Sequence, residues 1–325
     1  LRGLSRFFAG DQMEAGIHLV LPIFGVIGVG LLAARFGILS DKAIDGIDKY
    51  AFTFALPALL FRALANTELP AELPWGLWLS YYGGVLIVWA LCGAAAFLFL
   101  RRSPADSVIV GFGGGFSNTV MLGIPIILTA YGEEAGVPLF FILAFHGLTI
   151  FTIATFLLET TKPRGGKRLA PRAILGESLK GMVTNPVIVA LALGITYGQL
   201  GLGIPGPADT ALEMFARTGI PCALFSLGAT LTRYEIKRSV GTAATISFFK
   251  LAVHPLIVFV LSFYVFGLSP LWVKVATTMA AMPTGVFSFV LASRYQAAPG
   301  AASSAVVLAT ALSLVTLTVM LNIFL

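Results

Sequence analysis

"GFGGGFSNTVMLGIP", Gly111 to Pro125, sits inside a run of chain apolar enough to cross a bilayer, yet it gathers glycines, a proline and the polar triplet Ser117-Asn118-Thr119. Glycine and proline weaken a helix, and unpaired polar groups are costly in hydrocarbon. A spanning helix that keeps them must have them compensated. The surrounding composition sharpens the conflict. Of 325 residues, 58% are hydrophobic and only 11% charged. So few polar groups cannot cover a soluble globule of this size, and the chain reads as an all-α integral membrane protein. The longest polar stretch, Glu159 to Lys180, has the length of a linker and excludes a large water-soluble domain. Cys92 and Cys222 lie in apolar segments, define no spacing pattern and read as packing residues.

A spanning helix needs about 20 mainly apolar residues. Ten stretches qualify: 16–36, 46–65, 75–100, 107–131, 135–158, 184–201, 208–231, 240–266, 271–293 and 300–324. Pro74, Pro186 and Pro270 stand at starts of these segments, where a missing N–H is harmless. Residues 1–14 are too short and too charged to span and are expected to lie along the interface. Lys42, Arg101, Arg102, Arg172, Lys180, Arg233 and Arg294 all fall in connections after odd-numbered helices, as does the basic cluster of 162–168. The positive-inside rule then makes these loops cytoplasmic and both termini external. The net charge of +6 follows from topology rather than from a nucleic-acid surface, because the basic residues are spread over separate short loops.

A repeat appears at a constant offset of 164: Pro22 to Pro186, Gly30 to Gly194, Gly37 to Gly201, Pro57 to Pro221, Phe61 to Phe225 and Ala65 to Ala229. "ALPALLF" at 55–61 thus answers "GIPCALF" at 219–225. The expected organisation is a first five-helix repeat over 15–158, a basic cytoplasmic loop over 159–183 and a second repeat over 184–325. Five crossings is an odd number, so the halves enter the membrane from opposite sides. Such a 5+5 inverted repeat belongs to secondary transporters, which work around a site near the midplane.

At the same offset Thr119 maps to Pro283, which sets the opening stretch opposite "MAAMPTGVFSF", residues 279 to 289. Helices 4 and 9 are therefore both expected to be broken. Half-helices starting near Val120 and Thr284 would turn their positive N-terminal ends toward the breaks, a site suited to an anion. Ser117, Asn118, Thr119, Met282, Pro283, Thr284 and Gly285 are the candidate substrate contacts. The structural alternative is a kinked helix with small residues for close packing.

Ionisable groups inside helices are the other candidates, since each costs roughly 2.5–3.5 kcal/mol at a helix centre on insertion scales. Lys250 and His254 are four apart on one face. Two readings stand for them: Lys250 as counter-charge for substrate or for half-helix C-terminal ends with His254 as coupling or supporting neighbour, or a buried hydrogen-bonded pair beside Pro255. His146 in the fifth helix is a candidate substrate or proton contact. Glu213 and Arg217 read as an interfacial salt bridge, and Arg62 as a snorkelling side chain. Neither a catalytic motif, a nucleotide-binding loop nor a metal-spaced cluster is present in the sequence, so no enzyme activity, metal or cofactor is expected and gradients must supply the energy.

"SNTVMLGIPI" (117–126) and "MPTGVFSFVLASRY" (282–295) resemble the fourth- and ninth-helix signatures of the auxin efflux carriers and their bacterial relatives. "LPALLF", "NPVIVALALGI" and "IPCALFSLG" resemble their second, sixth and seventh helices, so the likeness runs from about Ala15 to Leu325. The resemblance implies a sodium/proton-antiporter-like fold. It divides into a scaffold of helices 1, 2, 6 and 7, with Pro57 and Pro221 as hinge positions, and a mobile transport domain of helices 3, 4, 5, 8, 9 and 10. It also implies elevator-type transport of a small organic anion, a homodimer and, for a bacterial member, the inner membrane. Two departures stand out: the central loop is short and basic, and the third helix offers Trp75, Ser80, Tyr81 and Tyr82 where plant carriers place an acidic and a basic residue. The coupling ion, proton or sodium, is left open. A sodium/proton antiporter of the same fold and a membrane ligand sensor are the rival readings.

Overall fold

The computed structural model describes residues 10–66, 73–161, 169–235 and 239–324. Every regular element among them is a helix, as a backbone in lipid requires when it must satisfy its own polar groups. In chain order they are α1 (Gly10–Arg35), α2 (Asp41–Tyr50), α3 (Leu56–Ala65), α4 (Trp75–Leu98), α5 (Pro104–Gly115), α6 (Ile124–Tyr131), α7 (Gly136–Thr161) and α8 (Pro171–Val183). Then follow α9 (Pro186–Gln199), α10 (Gly206–Thr230), α11 (Val240–Phe248), α12 (His254–Val260), α13 (Pro270–Ala281), α14 (Phe287–Tyr295) and α15 (Pro299–Phe324). Six helical segments are long and apolar enough to cross a membrane: Gly16–Arg35, Trp75–Leu98, Glu133–Thr161, Gly206–Arg233, Val240–Val265 and Pro299–Phe324. A seventh arises if α8 and α9, bent by 66° at their junction, count as one. The remaining apolar chain is divided among shorter helices.

Local signals set many of these boundaries. Ser40, Ser103 and Asn185 cap α2, α5 and α9 by accepting from Ala43, Asp106 and Val187 N–H, and Pro104 and Pro186 follow as first residues. Wide π-turns at Ala51–Ala55, Thr119–Gly123 and Phe249–Val253 each lead into a helix with proline in its first turn, Pro57, Pro125 and Pro255. A proline ring clashes with the carbonyl one turn back and cannot bond to it, and the extra residue of a wide turn accommodates both defects. The N-terminal segment expected over 1–14 falls partly outside the described residues; from Gly10 onward it is already part of α1. Likewise, the segment read as a basic loop contains α8, while 162–168 lie outside the described residues.

The chain forms two compact units. The first comprises the described parts of Leu1–Gly25, Gly76–Gly132 and Arg233–Leu325; the second comprises Val26–Trp75 and Glu133–Thr232. In the second unit, α3 packs against α9 and α10. Two glycines allow backbones to touch there: a Cβ on Gly30 would lie 2.1 Å from Phe225 O, and one on Gly194 would lie 2.8 Å from Phe61 O. Arg62 does not extend freely toward the interface as expected. It makes a two-pronged bond to Asp209, 2.5 and 3.0 Å, and approaches Glu213 at 3.5 Å, because α3 and α10 lie side by side. The Glu213–Arg217 pair is present at 2.5 Å. In the first unit, Cys92, Ala96, Val110, Ala243, Ile246 and Ala305 form a core of small and branched side chains between α4, α5, α11 and α15. In the same unit, α1 is tied to α15 where Asn322 Oδ1 accepts from Gly16 N–H at 2.8 Å.

Candidate functional site

Both segments expected to be interrupted are interrupted, and both lie in the first unit. α5 stops at Gly115, Phe116 is extended, and the chain resumes at the Thr119–Gly123 π-turn with Asn118 as its N-cap residue. α13 stops at Ala281 because Met282 precedes a proline and takes the extended conformation that proline imposes on it. The second half-helix, α14, begins at Phe287 rather than near Thr284 as expected; the chain first makes a turn in which Ser288 N–H bonds Gly285 O at 3.0 Å.

The extended stretches pair with each other. Ser117 and Thr284 face one another in an antiparallel bridge, with Asn118 N–H donating to Pro283 O at 2.9 Å and Gly285 N–H to Phe116 O at 3.3 Å. Backbone groups freed by the two breaks thereby satisfy one another, as buried main-chain groups must be satisfied. Thr284 Oγ1 adds a 2.6 Å bond to Gly113 O, a carbonyl left open at the end of α5. The crossing is tight. A Cβ on Gly285 would lie 2.4 Å from the Phe116 ring, which itself stacks on Phe112 at 4.9 Å between centroids. The glycine run before the first break is a packing device, as the structural alternative held: a Cβ on Gly111 would meet Trp89 at 2.4 Å, and one on Gly115 would meet Val85 O at 3.1 Å.

Ser117, Asn118, Thr119, Met282, Pro283, Thr284 and Gly285 are thus brought together. Asn118 is 7% exposed, does not cap the helix it precedes, and its carboxamide makes no hydrogen bond to any described residue. Its two donors and its acceptor are thus unspent on the described residues and open to a partner that reaches the crossing. Ser117 Oγ sits beside the Tyr81 phenol without a hydrogen bond of good geometry. Tyr81 packs edge-on against Tyr82 and lies 6.1 Å, ring to ring, from His254. Sequence reading named Tyr81 only as one polar residue of the third helix; two adjacent tyrosines in an otherwise apolar span were the available signal.

Lys250 and His254 are both fully buried. Lys250 Nζ lies 2.9 Å from His254 Nδ1 and donates to Ala280 O, a carbonyl in the last turn of α13 just before the break. His146 is buried in α7 and belongs to the second unit, as do Pro57 at the start of α3 and Pro221 within α10.

Comparison with known proteins gives this geometry a context. The family described as "Membrane transport protein" matches residues 15–321. A Rhizobium meliloti protein named "Putative malonate transporter" is 29% identical over 92% of this chain and 93% of its own length. "Auxin efflux carrier component 8" of Arabidopsis thaliana is 25% identical over 92% and 95%, and "Uncharacterized transporter YfdV" of Escherichia coli K12 is 24% identical over 89% and 88%. These relatives are transporters rather than enzymes. Full-length matches to named carriers, together with a multi-helix apolar chain, make this a multi-pass membrane transporter, and the chain belongs to the membrane transport protein family of the auxin efflux carriers.

Proposed function

We propose that the protein is a secondary transporter that carries a carboxylated organic anion by elevator-type alternating access, with the anion held at the crossing of the two interrupted helices. The observation that carries this reading is the Asn118 carboxamide, on a residue only 7% exposed yet unbonded among the described residues, at the N-terminal end of a half-helix. Its amide donors and the N–H groups that follow Thr119, whose own N–H bonds Ser117 O at 2.9 Å, suit a carboxylate, and the helix dipole favours negative charge there. A three-carbon dicarboxylate is the first probe, because a relative bears the name of a malonate transporter.

The ten-crossing, 5+5 inverted arrangement belongs to the same proposal. Gly30 packs on Phe225 while Gly194 packs on Phe61, and the offset of 164 exchanges these two contacts. Such reciprocity supports a two-fold relation between halves. At the crossing, the two bridge bonds exchange under 167, which makes Ser117 equivalent to Thr284 and Asn118 to Gly285. Three additional residues between Ala229 and the second break account for the change from the Thr119–Pro283 pairing inferred from sequence. In this reading the scaffold is built from the first, second, sixth and seventh crossings and the rest moves. That division and the two compact units differ at α7, with His146, and at the part of α1 up to Gly25. Localisation to a bacterial inner membrane with both termini outside, and a homodimer, complete the reading.

Uptake of radiolabelled malonate and a panel of mono- and dicarboxylates into proteoliposomes tests it. Saturable uptake by the unaltered protein, lost in Asn118→Ala, is the expected result. Sodium/proton exchange without solute uptake would favour the antiporter; binding without flux would favour the sensor.

A further inference from the structure

We propose that Lys250 is a built-in cation: its ammonium occupies the position at a broken helix's C-terminal end that a co-transported sodium ion would otherwise take, so the carrier works without sodium. The inference rests on the transporter reading above and adds the coupling chemistry.

The second break leaves carbonyls at the end of α13 without their helical donors, because Met282 is extended and Pro283 has no N–H. Helix C-terminal ends carry partial negative charge, and in carriers with broken helices such ends serve as cation ligands. Here the carbonyl of Ala280 is engaged by Lys250 Nζ, delivered from the π-turn Phe249–Val253. His254, one turn on, faces the same nitrogen through Nδ1 at 2.9 Å and accepts from it in the tautomer protonated at Nε2. Tyr81 of α4 lies 6.1 Å, ring to ring, from that imidazole. Lys250 forms no ion pair with a carboxylate of the described residues, so in this proposal the carbonyl end of α13 and the entering anion are what balance its charge.

Comparison of the two breaks makes the substitution specific. Under the bridge register, Gly113 O is the counterpart of Ala280 O, and Ser117 the counterpart of Thr284. Gly113 O accepts from the Thr284 hydroxyl, a neutral donor. The equivalent bond from Ser117 to Ala280 O is not made; Ser117 Oγ lies beside Tyr81, and the ammonium takes the carbonyl. Neither register gives the first half a matching lysine, since 250 corresponds to Gly83 or Leu86. One fixed positive charge therefore serves a crossing built from two halves, and an entering carboxylate meets that charge already in place.

The test uses the full chain in proteoliposomes with malonate uptake measured in choline and across a sodium series, for the unaltered protein, Lys250→Gln and Lys250→Arg. Glutamine can still donate to Ala280 O without charge, whereas arginine is always charged. The expected result is sodium-independent uptake by the unaltered protein, within about twofold, a fall of at least about tenfold in Lys250→Gln, and recovery to within about threefold in Lys250→Arg. Stimulation of the unaltered protein by sodium of about tenfold, or full uptake by Lys250→Gln in choline, overturns the inference. Should Lys250→Gln fail to fold, the sodium series on the unaltered protein decides alone. Sodium-driven uptake that still requires Asn118 would sink the built-in cation and leave the transporter reading standing. If no acid is taken up in any salt, both fall.

Discussion

The two interrupted helices reach the same crossing by different chemistry. The first gives way where a glycine run ends in Ser117-Asn118-Thr119, and it keeps its polar side chains at the break. The second gives way at Pro283, whose ring and missing N–H end α13 outright, and at the position facing Phe116 it keeps no side chain at all. One arm therefore keeps polar side chains at its break and the other leaves space facing Phe116, while Lys250, from the separate π-turn Phe249–Val253, holds the carbonyl end of α13. The difference teaches that a symmetric backbone joint need not carry symmetric duties: Asn118 and Gly285 occupy equivalent places in the bridge, yet only Asn118 has anything to offer a ligand.

Breaking the spatial half of that contrast should have the largest effect. Gly285→Ala puts a methyl 2.4 Å from the Phe116 ring, an overpacking defect of about 1–3 kcal/mol. Thermal unfolding should show a clearly lower midpoint, uptake should be lost, and Phe116→Leu in the same chain should restore part of both. Next comes Asn118→Ala, which removes a charge-assisted hydrogen bond worth about 1.5–3 kcal/mol, or roughly 10- to 150-fold in apparent affinity for the anion. Its unfolding midpoint should hold or rise, because no described residue loses a bond. A drop in midpoint with unchanged affinity would reassign Asn118 to a structural role. Thr284→Val should cost about 1–2 kcal/mol in stability by orphaning Gly113 O, with a lower unfolding midpoint and little change in solute preference. The smallest effect is expected for Ser117→Ala, within about 0.5 kcal/mol, since its hydroxyl makes no bond of good geometry. Unequal responses at Ser117 and Thr284, which face each other across the bridge, are what the asymmetry requires; equal ones would remove it.

Much of this was legible in the sequence, for local reasons. Glycine, proline and a polar triplet inside an apolar run announce a break because each disturbs a helix at its own position, and Pro186 and Pro270 announce helix starts in the same way. The repeat was legible where it runs without gaps, as from Pro22 to Ala65. The constant offset of 164 misled at the breaks: it set the second half-helix near Thr284, whereas α14 begins at Phe287 and the bridge bonds exchange under 167. The partners of buried groups were not legible. A helix apolar on every side gives no periodic cue to which face meets a neighbour. For that reason neither Lys250's attachment to Ala280 O nor Tyr81's place beside Ser117 could be read, although all four residues stand in the segments singled out. Arg62 met the same limit: its acidic partner is 147 positions away.

The bridge between residues 117 and 284 is made of main-chain groups, whose two donors, Asn118 N–H and Gly285 N–H, only a proline at 118 or 285 would remove. Side chains around it, at Ser117, Thr119 and Met282, are thus free to be exchanged while the joint itself persists. A lineage, or an engineer, could retune which acid is accepted by altering those three positions, without having to rebuild the frame that holds them.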